Sequence, residues 1–418
     1  MCLIKTDKDF YQYLLKKQFL WMVNIAQCLG FLPYPFTFQL QNGARQCFFK
    51  KMLKILNRTV GLLLISTVLI CIVSLYIYYP HYMFEEDYPP VLNIAYHLEN
   101  WLKVLTVLVT VLYPQFSEAY YRKTVESLVQ IMMHYDHAWR IENVLVSAAT
   151  VSKRLLVVFL IDDLTIATGL YFIVEHTPWI LINLCYIPPF IAIVNSVLHY
   201  YVLFATISGI ISCLNDTLCG ISVDEKNGQR SYGELETRRS HVNMMAIDKL
   251  LNLHKALILL TWKTNAHYGM VLLIIMLYSF IQIGVILAEL YLESSDLPLV
   301  FIWICTAHAT IYFMIFLIIA CANYAVQKEN ERTLLLLHDF NCVWNRELNA
   351  AIEYYITQIS NLQDVHQACG MINLDMHLIP NVLAAITSIL FILMQFADAR
   401  LLYANLSQEQ TTTEDILE

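Results

Sequence analysis

The sequence predicts an all-α integral membrane protein of seven transmembrane helices, with the N-terminus cytoplasmic and the C-terminus extracellular. Three observations predict it. Hydrophobic residues fill 58% of the 418 positions and charged residues only 14%, with a mean hydropathy of +0.53, whereas a soluble domain is roughly one-quarter charged. Windows of about 20 apolar residues, the length that crosses a hydrocarbon core of roughly 30 Å, recur near 60–80, 97–116, 155–174, 179–213, 268–292, 298–324 and 371–397. Finally, basic residues gather on one side of these windows. Nine precede the first, five lie in 117–154, seven in 215–267 and three in 325–370, while the stretches 81–96, 175–178 and 293–297 hold none. Those stretches carry Glu85, Glu86, Asp87, Glu175, Glu293 and Asp296 instead, so the positive-inside rule sets the orientation.

Taken in order, the first feature is residues 19–32, apolar for about 14 positions; this is short for a span and suits an interfacial or re-entrant segment. A cleaved signal peptide is disfavoured because a polar, basic stretch follows where a small-residue cleavage site would stand. The fourth window is overlong and contains Pro188-Pro189, which predicts a kinked helix running past the inner membrane face. After the sixth window, Ile352, Ile356, Ile359 and Leu362 recur at helical spacing within 328–367. An amphipathic helix below the membrane follows, packed either on its own chain or on another subunit.

The 11 cysteines include no C-x-x-C, and the 13 histidines form no H-E-x-x-H, so the sequence points to no metal site. P-loop, Gly-rich dinucleotide and nucleophile-elbow patterns are absent as well. No catalytic residue and no cofactor are expected, and no basic patch points to nucleic acid. Of the sequons at Asn57, Asn215 and Asn405, only Asn405 falls on the outer side, making it the expected glycosylation acceptor.

Ionisable groups inside a bilayer face a cavity, a partner or the bundle interior. Asp162 and Asp163 in the third window, His308 in the sixth, Glu289 at the end of the fifth and Lys103 in the second are such groups. With outer-half aromatics including Tyr171 and Trp179, they are candidates for a ligand pocket; interhelical hydrogen bonds and an interfacial aromatic belt are the alternatives. In the seventh window Asn381, Ser388 and Gln395 recur every seven residues, a polar stripe along one face. A pore lining with a constriction at Phe396 would require such a stripe, and polar residues joining helices would produce one too.

The run Ser388-Ile389-Leu390-Phe391-Ile392-Leu393-Met394-Gln395-Phe396 resembles the insect gustatory receptor signature TYhhhhhQF, in which h is hydrophobic. Ser388 stands for the threonine and Ile389 replaces the tyrosine. Gly370-Met371-Ile372-Asn373-Leu374-Asp375 resembles the family's approach to its last span, and Asn265-Ala266-His267-Tyr268-Gly269 its approach to span five. The resemblance implies a ligand-gated, non-selective cation channel of four subunits, alike or mixed with other gustatory receptors. It would sit in the plasma membrane lipid of gustatory neurons and detect a small-molecule tastant. It also implies a division of the chain: a cytoplasmic segment 1–59, spans one to six with the ligand pocket at 60–324, a cytoplasmic anchor helix at 325–370, a pore-lining helix at 371–397 and an extracellular tail at 398–418. Gln395 and Phe396 match the positions at the narrowest part of the pore. An insect odorant receptor is the nearest alternative. A G-protein-coupled receptor is opposed by the orientation and by the absence of NPxxY, and a transporter by the absence of an internal repeat.

Overall fold

A computed structural model describes residues 7–28, 30, 44–80, 90–135, 138–172, 176–228, 235–293, 298–339, 346–361, 367–392 and 394–395. Phe396, Asn405 and the tail 398–418 lie outside the described residues, as does most of the three acidic outer stretches.

Nearly everything described is helix. In chain order the helices are α1 (Asp7–Cys28), α2 (Ala44–Tyr78), α3 (Pro90–Phe116), α4 (Glu118–His134), α5 (Ala138–Tyr171), α6 (His176–Gly228), α7 (Leu235–Glu293), α8 (Leu299–His338) and α9 (Arg346–Asn361). A two-stranded antiparallel hairpin, β1 (Gln367–Ala368) and β2 (Ile372–Asn373), precedes a short apolar helix, α10 (Leu378–Ile392).

Among the described residues, five helices are long and apolar enough to cross a membrane: Lys54–Tyr78, Trp139–Tyr171, Thr177–Ile221, Met245–Leu292 and Leu299–His338. They coincide with the first, third, fourth, fifth and sixth sequence windows. The second window is α3, whose 27 residues reach roughly 40 Å at about 1.5 Å per residue. Its hydropathy is lowered by Glu99, Asn100 and Lys103, all buried in the bundle.

The seventh window is shortened, because 371–377 is hairpin and turn rather than helix. Cys369 and Gly370 both adopt positive φ, 52° and 67°, and the Met371 amide closes the turn on the Ala368 carbonyl at 2.9 Å. Asp375 then starts α10: its carboxylate accepts the His377 amide at 3.0 Å and its carbonyl accepts that of Leu378 at 3.1 Å. Pro380 falls in the first turn, where a missing amide leaves no bond unmade. The 328–367 stretch also differs from a single amphipathic helix, with α8 ending at His338 and α9 beginning at Arg346.

Of the segment 19–32, residues 19–28 belong to α1, which starts at Asp7; 29, 31 and 32 lie outside the described residues. Tyr11, Leu14, Leu15, Phe19, Met22 and Ala26 are buried at three-to-four spacing, and that stripe packs on α4, α5 and α6. At the centre stands α6, 53 residues long and continuous through Pro188 and Pro189; it touches α1, α2, α3, α5, α7 and α8. This explains why its apolar residues cover all its faces, as expected of a helix buried on every side.

Buried polar groups fasten the three longest helices. The Tyr200 hydroxyl of α6 donates to Asn265 Oδ1 of α7 at 2.7 Å and accepts from Asn323 Nδ2 of α8 at 2.6 Å. Asn265 Nδ2 donates to Asn323 Oδ1 at 3.2 Å, closing the ring. Fifteen positions further along α6, Asn215 donates to the Glu329 carbonyl at 2.9 Å and accepts from the Thr333 hydroxyl at 2.7 Å. Asn215 has no exposed surface and Asn57 only 3%, so neither presents its sequon to a glycosylating enzyme. At the base of α10, a Cβ at Gly269 of α7 would lie 2.8 Å from the Cys369 amide nitrogen. The 265–269 segment therefore touches the residues immediately before the 370–375 segment.

Replacing Asn323 with leucine leaves Asn265 Nδ2 and the Tyr200 lone pair without these partners, at about 1–3 kcal/mol for each buried group left unsatisfied. Asn323→Leu is expected to lower the thermal midpoint of the detergent-solubilised chain, read by fluorescence-detected gel filtration. An exposed control such as Thr310→Val is expected to leave it unchanged.

Candidate functional site

Two arrangements stand out, a polar and aromatic belt inside the bundle and the exposed face of α10. The belt begins on α3, where Tyr96, Glu99, Asn100 and Lys103 recur at three-to-four spacing and so share one face. Glu99 and Lys103 are fully buried and paired at 2.6 Å. The Lys103 ammonium also donates to Asn100 Oδ1 at 3.1 Å and sits 3.3 Å from the Tyr186 ring centroid. Tyr186 of α6 donates its hydroxyl to Glu99 Oε1 at 2.9 Å, while Glu99 Oε2 is buried with no hydrogen-bond partner among the described residues. One turn outward on α3, the Tyr96 hydroxyl bonds the carboxylate of Glu289 on α7. On its flank, His97 stacks on Tyr76 of α2 at 5.5 Å and its Nδ1 lies 2.7 Å from the Tyr76 hydroxyl.

The belt continues towards α8 through Tyr278 and Tyr312, whose hydroxyls are 3.4 Å apart. Tyr312 meets the His308 ring at 5.0 Å, and Phe190 meets it at 6.0 Å. His308 Nδ1 donates to Asp162 Oδ2 of α5 at 2.7 Å. Five helices thus contribute to one continuous set of carboxylates, phenols and a buried imidazole. Such a set offers carboxylate acceptors, phenol groups that donate and accept, and π faces to a small molecule.

The structure gathers some of the sequence candidates and separates others. Asp162 and His308 are directly bonded, whereas Asp163, about 100° round the helix, is half-buried. Glu289 joins the belt through Tyr96. Tyr171 and Trp179 meet edge-on at 5.4 Å; the Trp179 indole donates to the Ala167 carbonyl at 2.9 Å, and Tyr171 is 52% exposed. That pair stands at the α5–α6 turn, on the surface. Glu99 and Asn100 were not among the sequence candidates. Their signal was the i,i+4 relation of Glu99 to Lys103, which makes an intrahelical ion pair.

The second arrangement is α10. Leu378, Val382 and Ile386 are buried, and Ile389 reaches α7, where a Cβ on Gly284 would lie 3.9 Å from its Cγ2. Asn381, Ser388 and Gln395 are exposed. The Ser388 hydroxyl donates to the Ala384 carbonyl and that of Thr387 to the Leu383 carbonyl, both at 2.8 Å. These two hydroxyls are satisfied within the helix, so the demand for water on this face comes from the Asn381 and Gln395 amides.

The sequence was compared with known families and structures. The profile of the 7tm chemosensory receptor family matches residues 21–400, which includes both arrangements. The chain belongs to that family. No curated protein matches the receptor's sequence. Among solved structures, the insect olfactory receptor OR5 from Machilis hrabei in complex with eugenol has a similar fold, with a TM-score of 0.65 at 11% identity. The similarity covers 92% of this receptor and 99% of that chain. A second structure of that receptor gives 0.64 at 12% identity over the same shares.

In this receptor the Glu99–Lys103 pair makes a direct test. Truncating one partner of a buried ion pair costs about 3–5 kcal/mol because the other charge is stranded, whereas replacing both with apolar residues is often neutral. Lys103→Met alone is expected to reduce the yield of folded receptor sharply, and Glu99→Leu with Lys103→Met to restore much of it, measured by gel filtration.

Proposed function

We propose that this chemosensory receptor is a ligand-gated, non-selective cation channel of gustatory type, with a sensory, non-catalytic role. Four copies, identical or mixed with other gustatory receptors, place α10 around a central pore in the plasma membrane of gustatory neurons. The observation that carries this reading is the division of α10 into two faces. One is buried against α7; the other exposes Asn381 and Ser388, with Gln395 beyond its end, among the equally exposed Leu383, Phe391 and Ile392. A helix that offered polar groups to lipid would be penalised, whereas one lining a wet pore would be stabilised. Phe396, next to Gln395, supplies the constriction.

Seven crossings with the N-terminus inside and the C-terminus outside fit the charge distribution. For α3 and α10 they require polar groups turned away from lipid, and the internal pairing of Glu99 with Lys103 supports this for α3. The helix α9, with Ile352 and Ile359 buried and Tyr354 exposed, serves as part of the cytoplasmic anchor between subunits. Asn405 carries the glycan. The belt from Tyr96 and Glu99 to His308 and Asp162 binds the small tastant.

An odorant receptor is the second reading, favoured by the shared fold with a receptor solved with eugenol. The two readings separate in a panel of sugars, bitter compounds and phenolic volatiles.

Expressed in oocytes, the receptor is expected to give a ligand-evoked cation current that persists when G-protein signalling is blocked. Gln395→Ala is expected to change single-channel conductance while leaving surface expression intact. Loss of the current under G-protein inhibition would reject the channel mechanism. An N-terminal epitope detected on intact cells would overturn the orientation.

A further inference from the structure

Behind α10, on the side away from its polar stripe, lies a cavity of about 210 Å³. Leu92 of α3, Leu287, Ala288 and Leu292 of α7, and Leu390 and Met394 of the last helical segment line it. Leu92 and Ala288 are buried and make the floor, while Met394, with Tyr291 opposite, is exposed and makes the rim. Among the described residues no charged side chain lines it.

We propose that this cavity is a second binding site, separate from the Glu99–His308 belt, for a compact uncharged apolar molecule that biases the position of α10. The chemistry follows from the walls. An aliphatic lining offers almost no hydrogen-bond partner, so a polyhydroxylated or charged tastant entering it would lose its hydration without replacement. An apolar molecule loses nothing of that kind. For scale, a cavity of roughly 150 Å³ lined by Leu, Ile and Phe takes up benzene in another, engineered protein, so this one suits a hydrocarbon skeleton somewhat larger than benzene. The same chemistry is available from two sources, a free hydrophobic molecule or a phospholipid acyl chain entering past Tyr291.

The consequence for gating comes from the position of the walls. Leu390 is two residues from Ser388 in α10, about 200° round the helix, and Met394 is adjacent to Gln395 just beyond it, so the same short stretch of chain presents the cavity wall on one side and the polar stripe on the other. An occupant holds the outer end of α10 away from α7, and its departure lets the helix settle towards Ala288. Binding itself is independent of the channel reading; only the effect on gating rests on it.

The test uses the full chain in nanodiscs, photolabelled with a diazirine-bearing cyclic hydrocarbon and mapped by mass spectrometry. Label is expected on Leu92, Leu287, Leu390 or Met394. It should fall by about tenfold or more in Ala288→Phe or Leu390→Phe, each of which fills the cavity, provided the gel-filtration profile matches the parent. Label spread evenly over exposed apolar residues such as Leu164 and Trp303, and insensitive to both variants, would overturn the site. A second arm places the diazirine in the phospholipid acyl chain. Labelling of the same residues, competed away by free cyclic hydrocarbon, supports the site and identifies the bilayer as its source. In oocytes, Ala288→Phe is expected to shift basal opening. Lost label with unchanged basal and evoked current would overturn the gating effect, whereas no current from the parent chain would count against the channel reading and leave the labelling result standing.

Discussion

The closed ring of Tyr200, Asn265 and Asn323 is the constraint around which the receptor is organised. Each of these side chains both donates and accepts within the ring, and all three are essentially inaccessible. In apolar surroundings, the alternative to these bonds is an unpaired polar group, so sliding or rotating one of the three helices breaks at least two bonds together. Apolar ridges alone would permit neighbouring registers of similar energy. Fifteen positions along α6, Asn215 repeats the device with Glu329 and Thr333 of α8. Two fixed points so far apart on the same pair of helices set both axial register and rotation.

Other helices attach to this frame by scattered polar links set in apolar contact. Asp162 and His308 join α5 to α8; Glu99 and Tyr186 join α3 to α6; Glu289 and Tyr96 join α7 to α3. Against this pattern α10 is the exception. Its Ser388 and Thr387 hydroxyls bond their own helix, and it is held by Leu378, Val382, Ile386 and Ile389 together with the hairpin at Gly269. Non-directional apolar contacts tolerate sliding and rotation better than fixed hydrogen bonds do, so α10 is the element best able to occupy more than one position.

Much of this was legible in the sequence, and the parts that were not have identifiable reasons. Long apolar windows gave α2, α5, α6, α7 and α8 because length and hydropathy are local properties. The hairpin before α10 was hidden because Met371, Ile372 and Leu374 extend the apolar run beyond the true start of the helix; only Gly370 marked the turn. Glu99 was passed over because its neighbours, Leu98 and Trp101, keep the window apolar on average. The Tyr200–Asn265–Asn323 ring joins residues 58 to 123 positions apart, and no periodicity within one helix indicates which of its polar residues will meet. By contrast, the polar stripe on α10 was visible at once, since a seven-residue spacing lies within one helix, and the structure adds that this face is exposed. Asp162 and His308 were each named as groups that need a partner, and that reasoning held because burial of an ionisable group constrains its surroundings whatever the fold.

The belt and α10 meet at the C-terminal end of α7. Ala288 faces Leu92 and the α10 residue Ile389, and its neighbour Glu289 bonds Tyr96. Successive residues on a helix project about 100° apart, so these two positions are the two sides of a single turn, one reading the belt and the other touching α10. On the proposed function, a molecule that competes for the Glu289 carboxylate or the Tyr96 hydroxyl releases the link that holds this turn against α3. A shift of the turn then repacks Ala288 against Ile389 and reshapes the adjoining cavity, and α10, held there by apolar contacts that permit sliding, follows it. Coupling therefore needs no long chain of intermediaries. It requires that the polar link on one side of the turn be exchangeable and that α10 be free to follow the apolar wall on the other.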